Sequence, residues 1–476
     1  MFSLSKIKIA FQWSFMRTFV QQFLIPFLRL FIIPIVGPSN YGVVAITFLY
    51  FRFIEILFPF GVRDFILSRD IDTKKQIEML HSLSFILSLC AFFLCLALSF
   101  LLPYFYDSNQ IASALFATSF LFPFIGIGLV PQTIIEKKLD IKYLFYINLI
   151  PCLTSIFVAI PLAIYGYGFW AILTSHILNY SLSNMIYFLL NPVSFVLPSK
   201  DLLSKLFSFG KWNTAEKSSE YFIGWIDLFF VSFLGIEIAG IYSFGKNFAV
   251  ILFTLISSPI VNIILPIFSS MKNNIKKLLS FFIDIIGISI LVNIFFGFIA
   301  SIVSYYLFQV FLTSWQNLNI VCLYLFISSI FARSYTLLRE YLKVQNKIKP
   351  YPILMICSGV IFVLSFLIIE PSTIIDFLKL KLLNDMLYAL LMTILLINTI
   401  KNFSSSLRHF LSYGVKFLFL LSFNFLLILI SINDWFLSNN LYYDMGLIFL
   451  MICVNILVLY RLLIVKYPEI MTYYNN

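Results

Sequence analysis

The sequence has little charge. Only 11% of its residues are Asp, Glu, Lys or Arg, against about 25% in an ordinary soluble domain. A soluble surface cannot be covered with so few ions, so a soluble globular protein is excluded. Histidine is nearly absent, with three in 476 residues, set far apart, which argues against a metal site. Cys90, Cys95, Cys152, Cys322, Cys357 and Cys453 all fall in apolar runs, with no CxxC spacing. They read as small buried hydrophobes rather than ligands or a disulfide framework. No HExxH, phosphate-binding glycine loop or GxSxG arrangement occurs. Nothing points to catalytic residues or a cofactor.

What is present is apolar length. The chain is 61% hydrophobic with mean hydropathy +0.99. A helix of about 20 apolar residues crosses the hydrocarbon core. By that measure the expected spans are 11–33, 41–60, 82–102, 111–130, 144–164, 169–190, 212–234, 240–268, 281–303, 318–338, 351–369, 383–400, 411–430 and 445–464. The reading is an all-α, polytopic membrane protein with about fourteen transmembrane helices. The first run is too long for a signal-peptide core and lacks a small-residue cleavage site, so it is expected to remain as a span.

The cations orient these spans. With the N-terminus in the cytoplasm, the inside segments hold nearly all loop cations, from Lys6 and Lys8 through Lys137, Lys138 and Lys142 to Arg461 and Lys466. The outside segments hold only Lys379 and Lys381. That asymmetry fits the positive-inside rule and puts both termini in the cytoplasm. It also accounts for most of the net charge of +11, which removes the reason to invoke nucleic acid. The expected outer loops are short (GPSN, PYFYDSNQ, YGYG, GIE), so no large outer domain is expected. The segment 191–211 reads as a cytoplasmic linker. Over 201–209 it carries an apolar stripe opposite lysines, as a short amphipathic helix on the inner leaflet would.

A pattern recurs. Trp13 precedes Gly37-Pro-Ser-Asn-Tyr-Gly42, and Trp212 precedes Gly235-Ile-Glu-Ile-Ala-Gly240 at a similar distance. Both turns join two spans on the outer side, so the halves read as parallel repeats about an axis along the membrane normal. Independently occurring turn glycines would give the same pattern.

Six cations are left over by the topology: Arg17, Arg29, Arg52, Lys217, Lys246 and Arg333. A cation at mid-bilayer costs roughly 2.5–3.5 kcal/mol on insertion scales. On the first helix Arg17, Gln21, Gln22 and Arg29 share an arc of about 140°, which suits a cavity or a partner helix rather than lipid. On the seventh span Glu216, Glu220 and Asp227 fall on one face, adjacent to Lys217, as an ion-coupling stripe would. Each has a plainer reading. Arg29 can snorkel, Arg52 can pair with Glu55 three residues on, Glu216 and Lys217 can sit at the inner interface, and Arg333 can be an inside anchor.

The run GPSNYGVVAITFLYFRFIEILFPFGVRDFILSRD, with PQTIIEKKLDIKY (131–143), GYGFWAIL (166–173), FGKW and WIDLFFVSFLGIEIAGIYSFGK, resembles landmarks of polysaccharide exporters. The ordered set is similar to the Wzx-type O-antigen and exopolysaccharide flippases of the multidrug/oligosaccharidyl-lipid/polysaccharide superfamily. The likeness runs through Lys277 and fades after about Lys349; the Arg63-Asp64 pair departs from the family pattern. The resemblance implies a MATE-like fold of two six-helix lobes, 1–190 and 212–402, around the 191–211 linker, with two further helices and a tail in 403–476. It implies no enzyme. The expected activity is a flippase moving a polyprenyl-pyrophosphate-linked oligosaccharide, such as a lipopolysaccharide or capsular repeat unit, across the inner membrane by alternating access. Membrane lipids, H+ or Na+, and the polysaccharide polymerase and chain-length machinery are the implied partners. Arg17, Arg52 and Lys246 are where the family's cationic cavity falls here. A lipid II flippase and a small-molecule antiporter of the same fold are the alternatives.

Overall fold

The computed structural model describes residues 13, 16, 20, 32–68, 73–106, 108–138, 141–270, 275–312, 314–333, 336–345 and 350–400. The expected spans at 411–430 and 445–464, most of 11–33, and Arg17, Gln21, Gln22 and Arg29 lie outside these residues.

All regular structure among the described residues is helical. The elements are α1 (Ile33–Val36), α2 (Pro38–Leu57), α3 (Val62–Ser68), α4 (Lys74–Leu101), α5 (Pro103–Tyr106), α6 (Asn109–Ser119), α7 (Leu121–Lys137), α8 (Ile141–Ile164), α9 (Phe169–Leu190), α10 (Lys200–Ser232), α11 (Ile236–Ser270), α12 (Ile275–Phe311), α13 (Leu318–Arg333), α14 (Thr336–Val344), α15 (Pro350–Ile369) and α16 (Ile374–Ile400). Among the described residues nine helices are long and apolar enough to cross a membrane. They overlap the expected spans from 41–60 to 144–164 and from 240–268 to 383–400. The expected spans at 169–190 and 212–234 are helical as well, in α9 and α10.

The chain divides into two compact units, Met1–Phe244 and Gly245–Asn476. In the first unit α4 packs on α6 and α7, α9 on α7 and α8, and α2 on α6 and α10. One core patch joins Val62, Phe65 and Ile66 of α3 to Leu80 and Leu83 of α4, Val130 of α7, and Leu202 and Leu206 of α10. In the second unit α13 packs on α12 and α16, and α15 on α16.

Two boundaries differ from the sequence reading. The short helix expected over 201–209 is not separate. Pro198 blocks a helix before it, Ser199 caps the new one by accepting from the Leu202 amide at 3.3 Å, and α10 then runs unbroken for 33 residues. At 1.5 Å per residue that is about 50 Å, well beyond a hydrocarbon core of about 30 Å. Its first turns do not depend on lipid alone for burial, since Leu202 and Leu206 are buried in protein. The second difference is at α16. It starts at Ile374, nine residues before the expected span, so Lys379 and Lys381 belong to a helix rather than a loop.

The two repeated turns meet. Gly37 and Gly235 both hold positive φ, +78° and +138°, which lets the chain reverse before α2 and α11. Gly42 and Gly240 then face each other where these helices cross. A Cβ on Gly42 would lie 1.8 Å from the Ile236 carbonyl oxygen, and one on Gly240 would lie 2.1 Å from the Pro38 carbonyl oxygen. The reciprocity, each turn's second glycine against the other helix's first turn, is that of a local two-fold.

Candidate functional site

Arg52 lies late in α2, inside an apolar span. Its guanidinium donates to Glu55 at 2.7 Å, with 46% of its side chain exposed. It also sits 5.3 Å from the centre of the Tyr180 ring of α9, within cation–π range. Beside it, the Phe53 and Tyr221 rings are 6.2 Å apart and Tyr221 stacks on Trp225. Tyr221 is fixed by donating its hydroxyl to the Leu49 carbonyl at 2.8 Å. The result is a half-exposed cation among aromatic faces. A neutral aromatic wall with one guanidinium can take an anionic head and stack on a ring. Tyr180 and Tyr221 carried no signal in the sequence that separates them from 24 other tyrosines.

The pairing of Arg52 with Glu55 is the plainer of the two sequence readings, and it leaves the cation reachable. Any anion reaching the guanidinium would compete with Glu55 for the same donors.

Asp227 is 4% exposed and accepts the Tyr242 hydroxyl of α11 at 2.7 Å. Glu216 and Glu220 lie earlier on α10 and are exposed. The expected acidic face exists as a direction on the helix, but the structure does not bring the three together. Eleven residues of rise separate Glu216 from Asp227 by about 16 Å.

Lys217 is drawn to α3. Its ammonium pairs with Asp64, and Asn213 of the same helix donates to that carboxylate at 2.8 Å. Arg63 turns the other way, to Glu136 of α7 at 2.9 Å. Burial pushes the Asp64 carboxyl up, but the hydrogen bonds from Lys217 and Asn213 and the charges of Lys217 and Arg63 outweigh it, and the net shift is below the usual carboxylate range. Arg63 and Asp64 thus tie α3 to two neighbours.

A polar relay closes the far end of the α2–α10 contact. The hydroxyls of Tyr50 and Tyr106 are 2.9 Å apart, and Tyr106 is 2.7 Å from the Ser232 hydroxyl. Lys246 is half-buried on α11 in the second unit. Arg333 ends α13, and its side chain lies outside the described residues.

A chain whose described residues form helices, nine of them long and apolar enough to cross a membrane, is a multi-pass membrane protein, and its fold is that of known transporters. It aligns with an inward-facing multidrug resistance MATE family transporter of the MOP superfamily at TM-score 0.61 and 14% identity, over 83% of this chain and 99% of that one. It aligns with the lipid II flippase MurJ, in an inward closed conformation, at TM-score 0.62 and 14% identity, over 92% and 99%. At such identity the likeness establishes the fold. No curated protein matches the sequence. The model of the polysaccharide biosynthesis protein family matches residues 34–318, more than half of the chain, and the chain belongs to that family.

Proposed function

We propose that this protein is a flippase that carries a polyprenyl-pyrophosphate-linked oligosaccharide from the cytoplasmic to the outer leaflet of the inner membrane. Both termini are then cytoplasmic, and transport proceeds by alternating access coupled to H+ or Na+. The observation that carries the reading is Arg52, a reachable guanidinium within an apolar span, walled by Tyr180, Phe53 and Tyr221. Family membership supports the passenger's class.

A pyrophosphate cannot enter hydrocarbon bare, because desolvating its charge costs many kcal/mol. Arg52 replaces part of that hydration with charge-assisted hydrogen bonds, released from Glu55 as the phosphate arrives. Aromatic faces accept the sugar, and the lipid tail stays in the bilayer. Arg17, Arg29, Lys217, Lys246 and Arg333 remain the other candidate cations, with Lys217 the weakest because Asp64 holds it. Asp227, buried beside Tyr242, is the strongest of the three coupling candidates; the exposed Glu216 and Glu220 follow.

The test is headgroup flipping in proteoliposomes, with complementation of a strain lacking its own O-antigen flippase. Arg52→Ala should lower flipping at least tenfold at normal expression, and Arg52→Lys should recover part of it. Unchanged transport in Arg52→Ala removes this site. A lipid II flippase is the second reading, favoured by the alignment over 92% of the chain. Rescue of cells depleted of their lipid II flippase would select it.

A further inference from the structure

The start of α4 buries a histidine that takes no part in the site around Arg52. His81 lies just before the expected span 82–102. It is fully buried, and neither ring nitrogen has a hydrogen-bond partner among the described residues. Its imidazole stacks on Phe188 of α9, with ring centres 5.8 Å apart, and meets Phe195 at 4.7 Å. Phe195 belongs to the non-helical stretch 192–199 that leads from α9 to α10. A backbone bond fastens that stretch to α4: the Val196 amide donates to the Ser82 hydroxyl at 2.7 Å. Phe195 also meets Phe85, at 5.4 Å. The outer side of the stretch is bare, with Leu197 84% exposed.

Packing alone does not call for histidine here. A phenylalanine would fill the same aromatic slot with no polar atom to bury, whereas a neutral imidazole carries a donor and an acceptor that both go unmet. A second proton would make this worse, since it adds a charge where no carboxylate reaches the ring. The ionisable groups of the packed elements are held elsewhere. On α4, Glu78 pairs with Lys74 at 3.9 Å and Lys75 is exposed. Glu55 of α2 is taken by Arg52, Asp64 of α3 by Lys217, and Glu136 of α7, beside Lys137, by Arg63. On α9, Tyr180 lies beside Arg52 and Tyr187 accepts from Asn148. Asp201 of α10 pairs with Lys205, and 192–199 has no ionisable residue. With the stretch lifted, His81 meets water, and Glu78 is within reach one turn earlier on its own helix.

We propose that 192–199 is an acid-released strap: it closes over α4 while His81 is neutral, and a proton taken up by His81 holds it open. The proton comes from water on that side of the membrane and bonds to the ring nitrogen that lacked one. The open form binds it far more readily than the closed form, so falling pH favours opening. An exposed imidazole titrates near pH 6.5, and below that the open-to-closed ratio climbs by up to about tenfold per pH unit, or about thirtyfold in all from pH 8 to pH 5. Release gives slack to the connection between α9 and α10. The strap does not depend on which passenger is carried.

The experiment is hydrogen exchange of the purified full chain in detergent at pH 8 and pH 5, with each rate corrected for the intrinsic exchange rate at that pH. The wild-type Val196 amide should lose about thirtyfold in protection at pH 5. The Leu202 amide, bonded to Ser199 at the start of α10, should keep its own. Equal Val196 protection at the two pH values overturns the strap. A parallel loss at Leu202 overturns it too, because the whole region is then unfolding. His81→Phe keeps an aromatic ring and removes the proton site, so its Val196 protection should be the same at both pH values. A loss that persists in this variant belongs to another group and overturns the proposal. If the variant does not accumulate, Phe195→Ala takes its place. It lets water reach His81 in the closed form, so the loss should shrink to about tenfold or less; an undiminished loss overturns the proposal. No transport is measured, so a chain that responds without flipping lipid keeps the strap and loses only the passenger.

Discussion

The turns at Gly37–Gly42 and Gly235–Gly240 share a pattern and share a job, but they are held differently. In each, the first glycine takes a φ that side chains avoid and the second admits a neighbouring backbone. The first turn is also pinned from the side. Asn40 donates to the Val36 carbonyl at 2.9 Å and accepts from the Phe169 amide, at the start of α9, at 3.2 Å. The matching position in the second turn is Ile238, which has no side chain able to do this. Backbone geometry is therefore what the repeat preserves, while the polar fastening belongs to one copy.

Breaking the shared part should cost most. Gly42→Val and Gly240→Val each drive carbon into a backbone carbonyl that no rotamer can clear. Each should destabilise the first unit by about 3 kcal/mol or more. Because both open one crossing, the double variant should fall well short of the sum. Reversible unfolding in mixed micelles measures this, and additive losses would mean the glycines do not share a contact.

The first glycines come next. A Cβ on Gly37 meets nothing within 4 Å, so Gly37→Ala suffers only from its backbone, at φ +78° and ψ +166°, a region that residues with side chains scarcely enter, at about 1–3 kcal/mol. Gly235 at +138° also lies outside every well open to alanine, so Gly235→Ala should cost a similar amount. A clearly smaller loss at either glycine in the same assay would show that its turn relaxes. Below these comes Asn40→Ala, at about 1 kcal/mol for the lost cap and tie, where Ile238→Ala should leave the start of α9 untouched. Hydrogen exchange at the Phe169 amide reads the difference directly.

The sequence made the turns legible because glycine is the residue that allows both a positive φ and a backbone crossing, and spacing marks the repeat. Helix existence followed from apolar length for the same reason. Boundaries did not follow where polar residues were absorbed by tertiary contacts. The lysines of 200–211 look like a surface linker until Leu202 and Leu206 are seen buried. Lys381 looks like an outer-loop cation, although Asp385 four residues later was a readable partner. Of the candidate site, Arg52 stood out by its cost in a span, and its tie to Glu55 was readable from spacing. Tyr180 and Tyr221 come from α9 and α10, and no local pattern marks which aromatic rings long-range packing will bring to a cation. The acidic residues of α10 were legible as a direction only: a helical wheel says which residues share a face, but not which of them packing will bury.

The smallest effect contrasts the glycine end of this unit with its charged end. The crossing glycines carry no titratable group; Asp64 does. Its carboxyl is held below the usual range when folded, so its ties to Lys217 and Asn213 stabilise fully above the unfolded value of about 3.9 and are lost as pH falls through the lowered folded one. Both ions of the pair are partly exposed, Lys217 by 46% and Asp64 by 27%, so screening limits the contribution to about 1 kcal/mol or less. Asp64→Asn should therefore be slightly less stable than wild type at pH 6, and the gap should close in acid and narrow in high salt. The Gly42→Val deficit should ignore both variables, because its origin is steric. A pH-independent gap for Asp64→Asn would mean that Asn213 and packing, rather than the ion pair, hold α3 against α10.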